Sequence, residues 1–537
     1  MLLKGSDIII RVVMEQGCRT VFGYPGVQVI DVYDSLYRYR DDITHILTAH
    51  EQGAVHAADG FARVSGKPGV VIATSGPGAT NLVTGIATAY MDSVPMVLIT
   101  GNVPRSQIGT DSFQEIDITG ITLPITKHNY FVDDGDMLAD IVREAFAIAT
   151  SGRPGPVLID VPKDILESSY EYEEKPAAEK EILAPAKEQR IKKAADCINR
   201  SKRPYIYFGG GIVSSGAEEE LKALAERIDA PLGCSMMGLS VLPTGYPGFL
   251  GMQGLHGGYA ANTAIRRADC IIALGVRFSD RATGEREEFA KGAKIVHIDI
   301  EGAEISKNTV DAHGMRGDLK LTLQKMLPLL RDSSRPEWKS EIEGYTAKEK
   351  ETADIRDGFT PKNIIGMINR ILKEDTPVVT DVGQHQVWAS RYVSLKKERR
   401  FLTSAGLGTM GFGLGAAIGA CTATGTRSVL LTGDGSFGMN LTELATAVKY
   451  DIPVTVIIFN NGTLGMVRQW QDMYFEGHHS CTDLERQTDF IKVAEAFGAK
   501  GERVTGLEDL ESALEKAENC SGPYVIECMI DKDEKVL

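Results

Sequence analysis

The sequence predicts an α/β protein of three doubly wound parallel-sheet domains, and three observations carry the prediction. Short unbroken apolar runs, such as VLL at Val429 and VTVIIF at Val454, read as strands buried on both faces. Helix-length segments separate such runs, which is the βαβ pattern. Third, two segments lie side by side: VVIATSGPGATNLVTGIATAYMDSVPMVLITGN from Val70 and VLLTGDGSFGMNLTELATAVKYDIPVTVIIFNNG from Val429. Each gives a strand, a glycine loop, an Asn-Leu helix start and a Pro-led strand. Asn81 precedes Pro95 by 14 residues and Asn440 precedes Pro453 by 13. One domain is read as occurring twice.

Taken in order, the N-terminal stretch MLLKGSDIIIRVVMEQGC is broken by Arg11 and reads as a helix rather than a signal peptide. The first domain is placed at 1–166. The charged segment Glu167–Arg190 reads as a linker or solvated helix, as does Arg331–Thr360. Between them, YFGGGIV, IIALGVRF and KIVHIDI mark a central domain at 188–332, and the third domain is placed at 358–537.

A net charge of −15 argues against nucleic acid and anionic membranes as partners, and no apolar run approaches a membrane span. Eight scattered cysteines without a CxxC pair fit reduced packing thiols in a cytoplasmic enzyme.

The chemistry gathers past the strand ends, where open parallel sheets bind ligands. Asp434 supplies a carboxylate and Asn461 a side-chain carbonyl, with Thr463 adding a backbone carbonyl. Few, oxygen-only ligands suit Mg²⁺, which leans on a ligand's phosphates. Gln384 and His385 follow the strand PVVTDV as neutral donors to phosphate. Gly406, Gly408 and Gly411 form a GxGxxG, but the acid 23 residues beyond, Asp434, belongs to the GDG loop, so the dinucleotide reading is rejected. These glycines instead let a flat ring approach the backbone. Glu51 ends a short strand and starts a helix, a common place for a dipole partner. Its alternative use is as a buried acid sharing a proton with a heteroaromatic ring.

The GDG…NN pair and the duplication resemble thiamine-diphosphate enzymes, in which two related α/β domains flank a third. More narrowly, the chain resembles the acetohydroxyacid synthase (acetolactate synthase) catalytic subunits over nearly its whole length. The resemblance rests on FGYPG, AHEQGAVHAADGFAR, TSGPGATN, FQEIDITGITLPITKHNY, GRPGPVLIDVPKDI, GVRFSDRATG, IVHIDIE, LGTMGFGL, GDGSFGMN and NNGTLGMVRQWQ. It implies a thiamine-diphosphate-binding fold with a central FAD-binding domain, and the cofactors thiamine diphosphate, Mg²⁺ and FAD. It implies that pyruvate is decarboxylated and its two-carbon unit joined to a second 2-ketoacid, pyruvate or 2-ketobutyrate, in branched-chain amino-acid biosynthesis.

The resemblance also assigns residues. Glu51 hydrogen-bonds N1′ of the aminopyrimidine, Gly408 offers a carbonyl to its amino group, and Met410 bends the cofactor. Gln114 lies near the thiazolium. Gln384, His385, Asp434, Gly435, Ser436, Asn461, Leu464, Gly465 and Met466 complete the thiamine-diphosphate site, with Asp434, Asn461 and Thr463 on Mg²⁺. Phe113, Lys127, Arg281 and Trp470 face substrate, Arg281 meeting the second ketoacid's carboxylate and Trp470 its alkyl group. FAD, held for structure rather than redox, falls to Arg153, Gly209, Gly210, Gly211, Ser235, Met236, His256, Gly275, Val276, Arg277, Phe278, Asp299 and Asp318. The family shares each site between two subunits, so a homodimer or homotetramer is implied, with a separate small regulatory subunit.

The chain departs from the family pattern at Val27 and Gln28, which bear on a loop and access channel, at Gly415 in place of proline, and at Leu255 before His256. It stops at DEKVL, before the tail that closes the site in the family. Related alternatives are a catabolic acetolactate synthase without FAD and an FAD-dependent pyruvate oxidase; RFSDR, KHNY and Trp470 favour the biosynthetic enzyme. A catalytically silent cofactor-binding subunit is opposed by intact Glu51, Asp434 and Asn461.

Overall fold

A computed structural model describes residues 1–177, 181–285, 289–309, 312–351, 355–484 and 488–536. Residues 178–180 and 352–354, within the two segments read as linkers, lie outside the described residues. The chain divides into two compact bodies: 1–181 with 376–386 and 402–533, and 182–375 with 387–401 and 534–537.

The first body holds two six-stranded sheets and a two-stranded one. Strands β1 (Leu2–Lys4), β2 (Thr20–Tyr24), β3 (Thr44–Leu47), β4 (Gly69–Ala73), β5 (Met96–Asn102), β6 (His128–Phe131), β7 (Pro156–Pro162) and β8 (Ser169–Glu171) belong to the N-terminal half. Six of them form a sheet in the order β3-β2-β4-β5-β7-β6, while β1 and β8 pair antiparallel beside it in sequence. Part of the segment expected to be a linker is therefore a strand that fastens the N-terminus.

The central strands are β9 (Pro204–Phe208), β10 (Leu232–Cys234), β11 (Phe249–Met252), β12 (Cys270–Leu274), β13 (Lys294–Asp299) and β14 (His313–Arg316). The C-terminal half supplies β15 (Val378–Thr380), β16 (Phe401–Leu402), β17 (Ser428–Gly433), β18 (Val454–Asn460), β19 (Lys500–Val504) and β20 (Tyr524–Met529), in the order β16-β15-β17-β18-β20-β19. Strand for strand, that order repeats the N-terminal sheet. The duplication read from two loops thus extends to the topology of both sheets.

The halves meet through two helices. Glu51–Ser65 is capped by His50, whose Nδ1 accepts the Gln52 N–H, and ends at Gly66 in the left-handed region. Phe412–Thr424 is apolar nearly all round and buried for most of its length, as a helix enclosed between layers must be. Glycines let the backbones touch: a Cβ on Gly60 would sit 2.1 Å from the Ala416 carbonyl oxygen, and one on Gly419 1.8 Å from that of Ala57. Gly415, the departure from the family's proline, belongs to this contact, its Cβ position lying 2.9 Å from the Gly53 carbonyl. One continuous core, including Phe22, Val55, Phe412 and Leu430, joins the halves.

The second body carries the central sheet, ordered β11-β10-β9-β12-β13-β14 with all its strand pairs parallel. This is the dinucleotide-binding order, with its switch point between β9 and β12. Arg331–Thr360 differs from expectation. Its helix Pro336–Glu351 buries Trp338 and Ile342 in the central core, and Trp338 Nε1 donates to the Pro204 carbonyl at 3.0 Å. Among the described residues no helix is long and apolar enough to cross a membrane.

Candidate active site

In the C-terminal half, β17 ends at Gly433 and Asp434 opens the helix Asp434–Asn440, buried at its N-terminus. The neighbouring β18 ends at Asn460, and Asn461 follows it. Asn461 Oδ1 accepts the Thr463 N–H at 3.2 Å, and its Nδ2 donates to Gln384 Oε1 at 3.3 Å. Gly465 closes on this pair, since an added Cβ would lie 1.9 Å from Gln384 Oε1 and 2.8 Å from Asn461 Nδ2. A cavity of about 30 Å³ is lined by Asp434, Asn460, Gly462 and Leu484, room for one ion or water.

Around it, burial lowers the His385 imidazolium to about pKa 3, so the ring is neutral, and its buried Nε2 has no hydrogen-bond partner among the described residues. Ser436 Oγ donates to the Val382 carbonyl at 2.8 Å. Gly435 lies against Leu464 and within reach of the Met410 methyl. Met466 is in the first turn of the helix Gly465–Tyr474, and Trp470 stands on its exposed side, 36% accessible and tilted against Tyr474 at 5.3 Å. Core packing is thereby removed as an account of Trp470.

The glycine loop before Phe412 is held from both halves. Asp381, just past β15, accepts the N–H groups of Gly411 (2.8 Å), Gly413 (3.3 Å) and Val382 (3.0 Å). Its burial raises the carboxyl pKa to about 6. Asp92, from the N-terminal half, accepts the Gly406 and Ala405 N–H groups at 2.8 and 3.1 Å. Between these anchors Gly408 adopts φ +73°, where a Cβ would meet only Val382 Cγ1 at 4.0 Å.

In the N-terminal half, Glu51 is buried at the start of its helix, and its Oε2 accepts from Asn81 Nδ2 at 2.9 Å. Gly78 leaves room for the other oxygen, as a Cβ there would lie 3.2 Å from Oε1. The turn before Glu51 is clamped by Glu443 from the other half, which accepts the His50 and Ala49 N–H groups at 3.0 and 3.2 Å. Gln114 adopts φ +65° against Gly76, with its buried Oε1 unpartnered among the described residues. Phe113 beside it is 82% exposed. Lys127 is placed differently: its Nζ donates to the Ile148 and Ser151 carbonyls at the end of the helix Leu138–Thr150, a structural use.

Three thiamine pyrophosphate enzyme profiles match in series: the N-terminal TPP-binding domain over 3–121, the central domain over 191–326 and the C-terminal TPP-binding domain over 381–528. The probable acetolactate synthase large subunit of Methanocaldococcus jannaschii is 44% identical, the match covering 99% of this chain and 93% of the relative. The chain belongs to the acetolactate synthase large-subunit family. The Escherichia coli isozyme 3 and isozyme 1 large subunits are each 42% identical, over 96% and 99% of this chain and 92% and 95% of theirs.

This family's cofactors are thiamine diphosphate, Mg²⁺ and FAD, and the chain's residues fit them. The donors at Asp434 and Asn461 are oxygens, the unpartnered His385 nitrogen is neutral, and Gly435 and Gly465 form a cradle that any Cβ would fill. In the central domain Gly209 and Gly211 follow β9, and Gly275 follows β12, at the switch point. Their backbones touch, the Gly211 N–H donating to the Gly275 carbonyl at 3.0 Å. Ser235 lies beside Gly209 and Met237 beside Gly210, with Met236 between them in sequence, and the His256 Nδ1 is buried without a partner among the described residues. Burial, then Arg391 and Arg281, lower the His256 pKa. Phe278 packs its edge on His297, which bonds the Val276 carbonyl; Arg277 lies between them in sequence. Asp299 accepts the Glu301 N–H and Asp318 caps the helix Leu319–Met326. Arg281 is largely exposed, 3.9 Å from Asp280. Arg153 belongs to the other body, where it bonds Ser93 Oγ at 2.8 Å and lies over the Tyr90 ring.

Sequence reasoning missed Asp381, Asp92 and Glu443. Only Asp381 carried a signal, as the acid ending PVVTDV.

Proposed function

We infer that this chain is a biosynthetic acetolactate synthase, a thiamine-diphosphate-dependent acetohydroxyacid synthase. It decarboxylates pyruvate and joins the two-carbon unit to pyruvate or 2-ketobutyrate, giving 2-acetolactate or 2-aceto-2-hydroxybutyrate for branched-chain amino acids. The observation that carries the reading is the pairing of two like sheets whose strand ends differ in chemistry: a buried acid at Glu51, and an oxygen donor set with a neutral histidine around Asp434.

When bound, thiamine diphosphate supplies an electron sink for the charge left as CO₂ departs. The chain's residues do the rest. Asp434, Asn461 and the Thr463 carbonyl hold Mg²⁺, while Gln384 and His385 donate to phosphate oxygens without adding charge. Gly435, Ser436, Leu464, Gly465 and Met466 shape the cradle. Glu51 would hold a proton for a nitrogen of the pyrimidine ring, the Gly408 carbonyl would accept from the ring's amino group, and Met410 would support the cofactor. Gln114 would lie near the thiazolium and Phe113 would face substrate. Arg281 meets the acceptor carboxylate with a planar guanidinium, and Trp470 lies along its alkyl group. Lys127 supports the substrate side by fixing a helix end. Arg153 and the switch-point residues hold FAD as a structural group.

A homodimer or homotetramer that shares each site between subunits, a separate small regulatory subunit and a cytoplasmic location complete the proposal. Incubation with pyruvate, with and without 2-ketobutyrate, tests it in the presence and absence of Mg²⁺ and thiamine diphosphate. Both acetohydroxyacids are expected, each dependent on both cofactors. Oxygen consumption with acetyl phosphate formation would identify a pyruvate oxidase instead.

A further inference from the structure

We propose that Cys197 and Cys270 of the central domain form a modification site, which a hydroperoxide closes into a disulfide. The Sγ atoms lie 4.0 Å apart, one on the helix Glu188–Arg200 and the other on the first residue of β12. A disulfide needs about 2.0 Å between sulfurs, so a small side-chain movement brings them together. Cys270 is buried, whereas Cys197 is half-buried and open to a small oxidant. The ground between them is firm, because Asp269 bonds Ser201 Oγ and accepts the Lys202 and Arg203 N–H groups at 2.8 and 2.9 Å.

The surroundings favour a thiolate at Cys197. The Cys270 thiol is its first stabiliser, and Lys294 and Arg200 assist against burial and the Asp269 charge, so its pKa is lowered on balance. Burial instead pushes the thiols of Cys18 and Cys421 up to about 11. A low thiolate pKa beside a resolving thiol marks a cysteine for oxidation.

The chemistry balances with hydrogen peroxide as the oxidant. Cys197 Sγ attacks one peroxide oxygen, forming an S–O bond as the O–O bond breaks, and the departing hydroxide takes a proton and leaves as water. Cys270 Sγ then attacks the sulfenic sulfur, forming S–S and breaking S–O. The expelled oxygen takes the Cys270 proton and leaves as a second water. Two thiols lose two electrons and the peroxide gains them. The bond ties the helix to the strand that runs on into Gly275–Phe278.

The test treats the cofactor-loaded protein with hydrogen peroxide, blocks remaining thiols with iodoacetamide and maps peptides without reduction. The expected product is one peptide pair joining Cys197 to Cys270, two hydrogens lighter and restored by dithiothreitol. Cys197 should lose reactivity at least about tenfold faster than half-buried Cys520. C197S should abolish the pair while leaving untreated activity unchanged, and C270S should leave Cys197 as a sulfenic acid trapped by dimedone. Where C270S fails to fold, C197S carries the test. Both thiols remaining alkylatable while exposed Cys481 oxidises, or Cys197 bridging a second chain, would overturn the proposal.

Discussion

The N-terminal and C-terminal halves share one strand order and differ in what stands past the strand ends. Beyond β4 the N-terminal half has Ser75, Gly76 and Pro77; beyond the matching β17 the C-terminal half has Asp434, Gly435 and Ser436. Beyond β3 comes Glu51; beyond the matching β16 come the glycines Gly406 and Gly408. The frame sets where a ligand approaches, and a few residues at each end decide which part of it is met. On the proposed reading, one half supplies the acid that shares a proton with a ring, and the other holds the charge of a diphosphate.

The sharpest way to break that comparison is to remove the acid from the first half alone. Glu51→Gln should lower kcat by about 10²–10⁴-fold, the usual worth of a positioned proton, with folding nearly intact. Unchanged turnover at saturating cofactor would reduce Glu51 to a helix-end carboxylate. Separating the halves tests the frame itself. Gly419→Leu places atoms where the Ala57 carbonyl already lies, so about 3 kcal/mol or more of stability should go, read as a shifted urea midpoint. A midpoint unmoved by the leucine would show that the helices do not cross there.

At the acceptor end, Trp470→Leu should lower the preference for 2-ketobutyrate over pyruvate by roughly tenfold, since one methylene in an apolar pocket is worth about 1–3 kcal/mol. Competition between the two acceptors in one tube reads the ratio, and an unchanged ratio removes Trp470 from the pocket. An acid effect follows, with one histidine in each half. Burial lowers His56 and His385 to about pKa 3 against an ordinary 6.5. The unfolded chain therefore binds protons that the native chain does not, so this stability is whole above pH 6.5 and fades as pH falls towards 3. Asp381 has the opposite sign: raised to about 6, it favours the native state below its ordinary 3.8 and loses that effect as pH rises through 6. Urea midpoints of the cofactor-free protein across this range should flatten in His56→Gln and again in His385→Gln.

Much of this was legible in the sequence because each strand end couples an apolar run to small or acidic residues over a few positions. Asp434, Asn461 and Gln384 were found that way, and in the structure Asn461 bonds Gln384. Long-range contacts leave no such trace. Glu443 sits in an ordinary helical stretch, yet it clamps the turn before Glu51 from 393 residues away. The helix Pro336–Glu351 buries little beyond Trp338 and Ile342, too few apolar positions to set a period, so it read as solvated. Lys127 matched a substrate position by its motif, while its ammonium is committed to carbonyls of a helix whose packing no motif records.

The central claim is a division of labour between like halves, and calorimetric titration of thiamine diphosphate with Mg²⁺ into two variants tests it most directly. Asp434→Ala, lacking the one charged protein ligand of the proposed metal set, should bind more than about 100-fold more weakly, beyond what outer-shell changes cost a metal site. Glu51→Gln should bind within a few-fold of the unaltered protein while failing to turn over. Equal loss of affinity in both variants, or unchanged affinity in Asp434→Ala, would contradict the account.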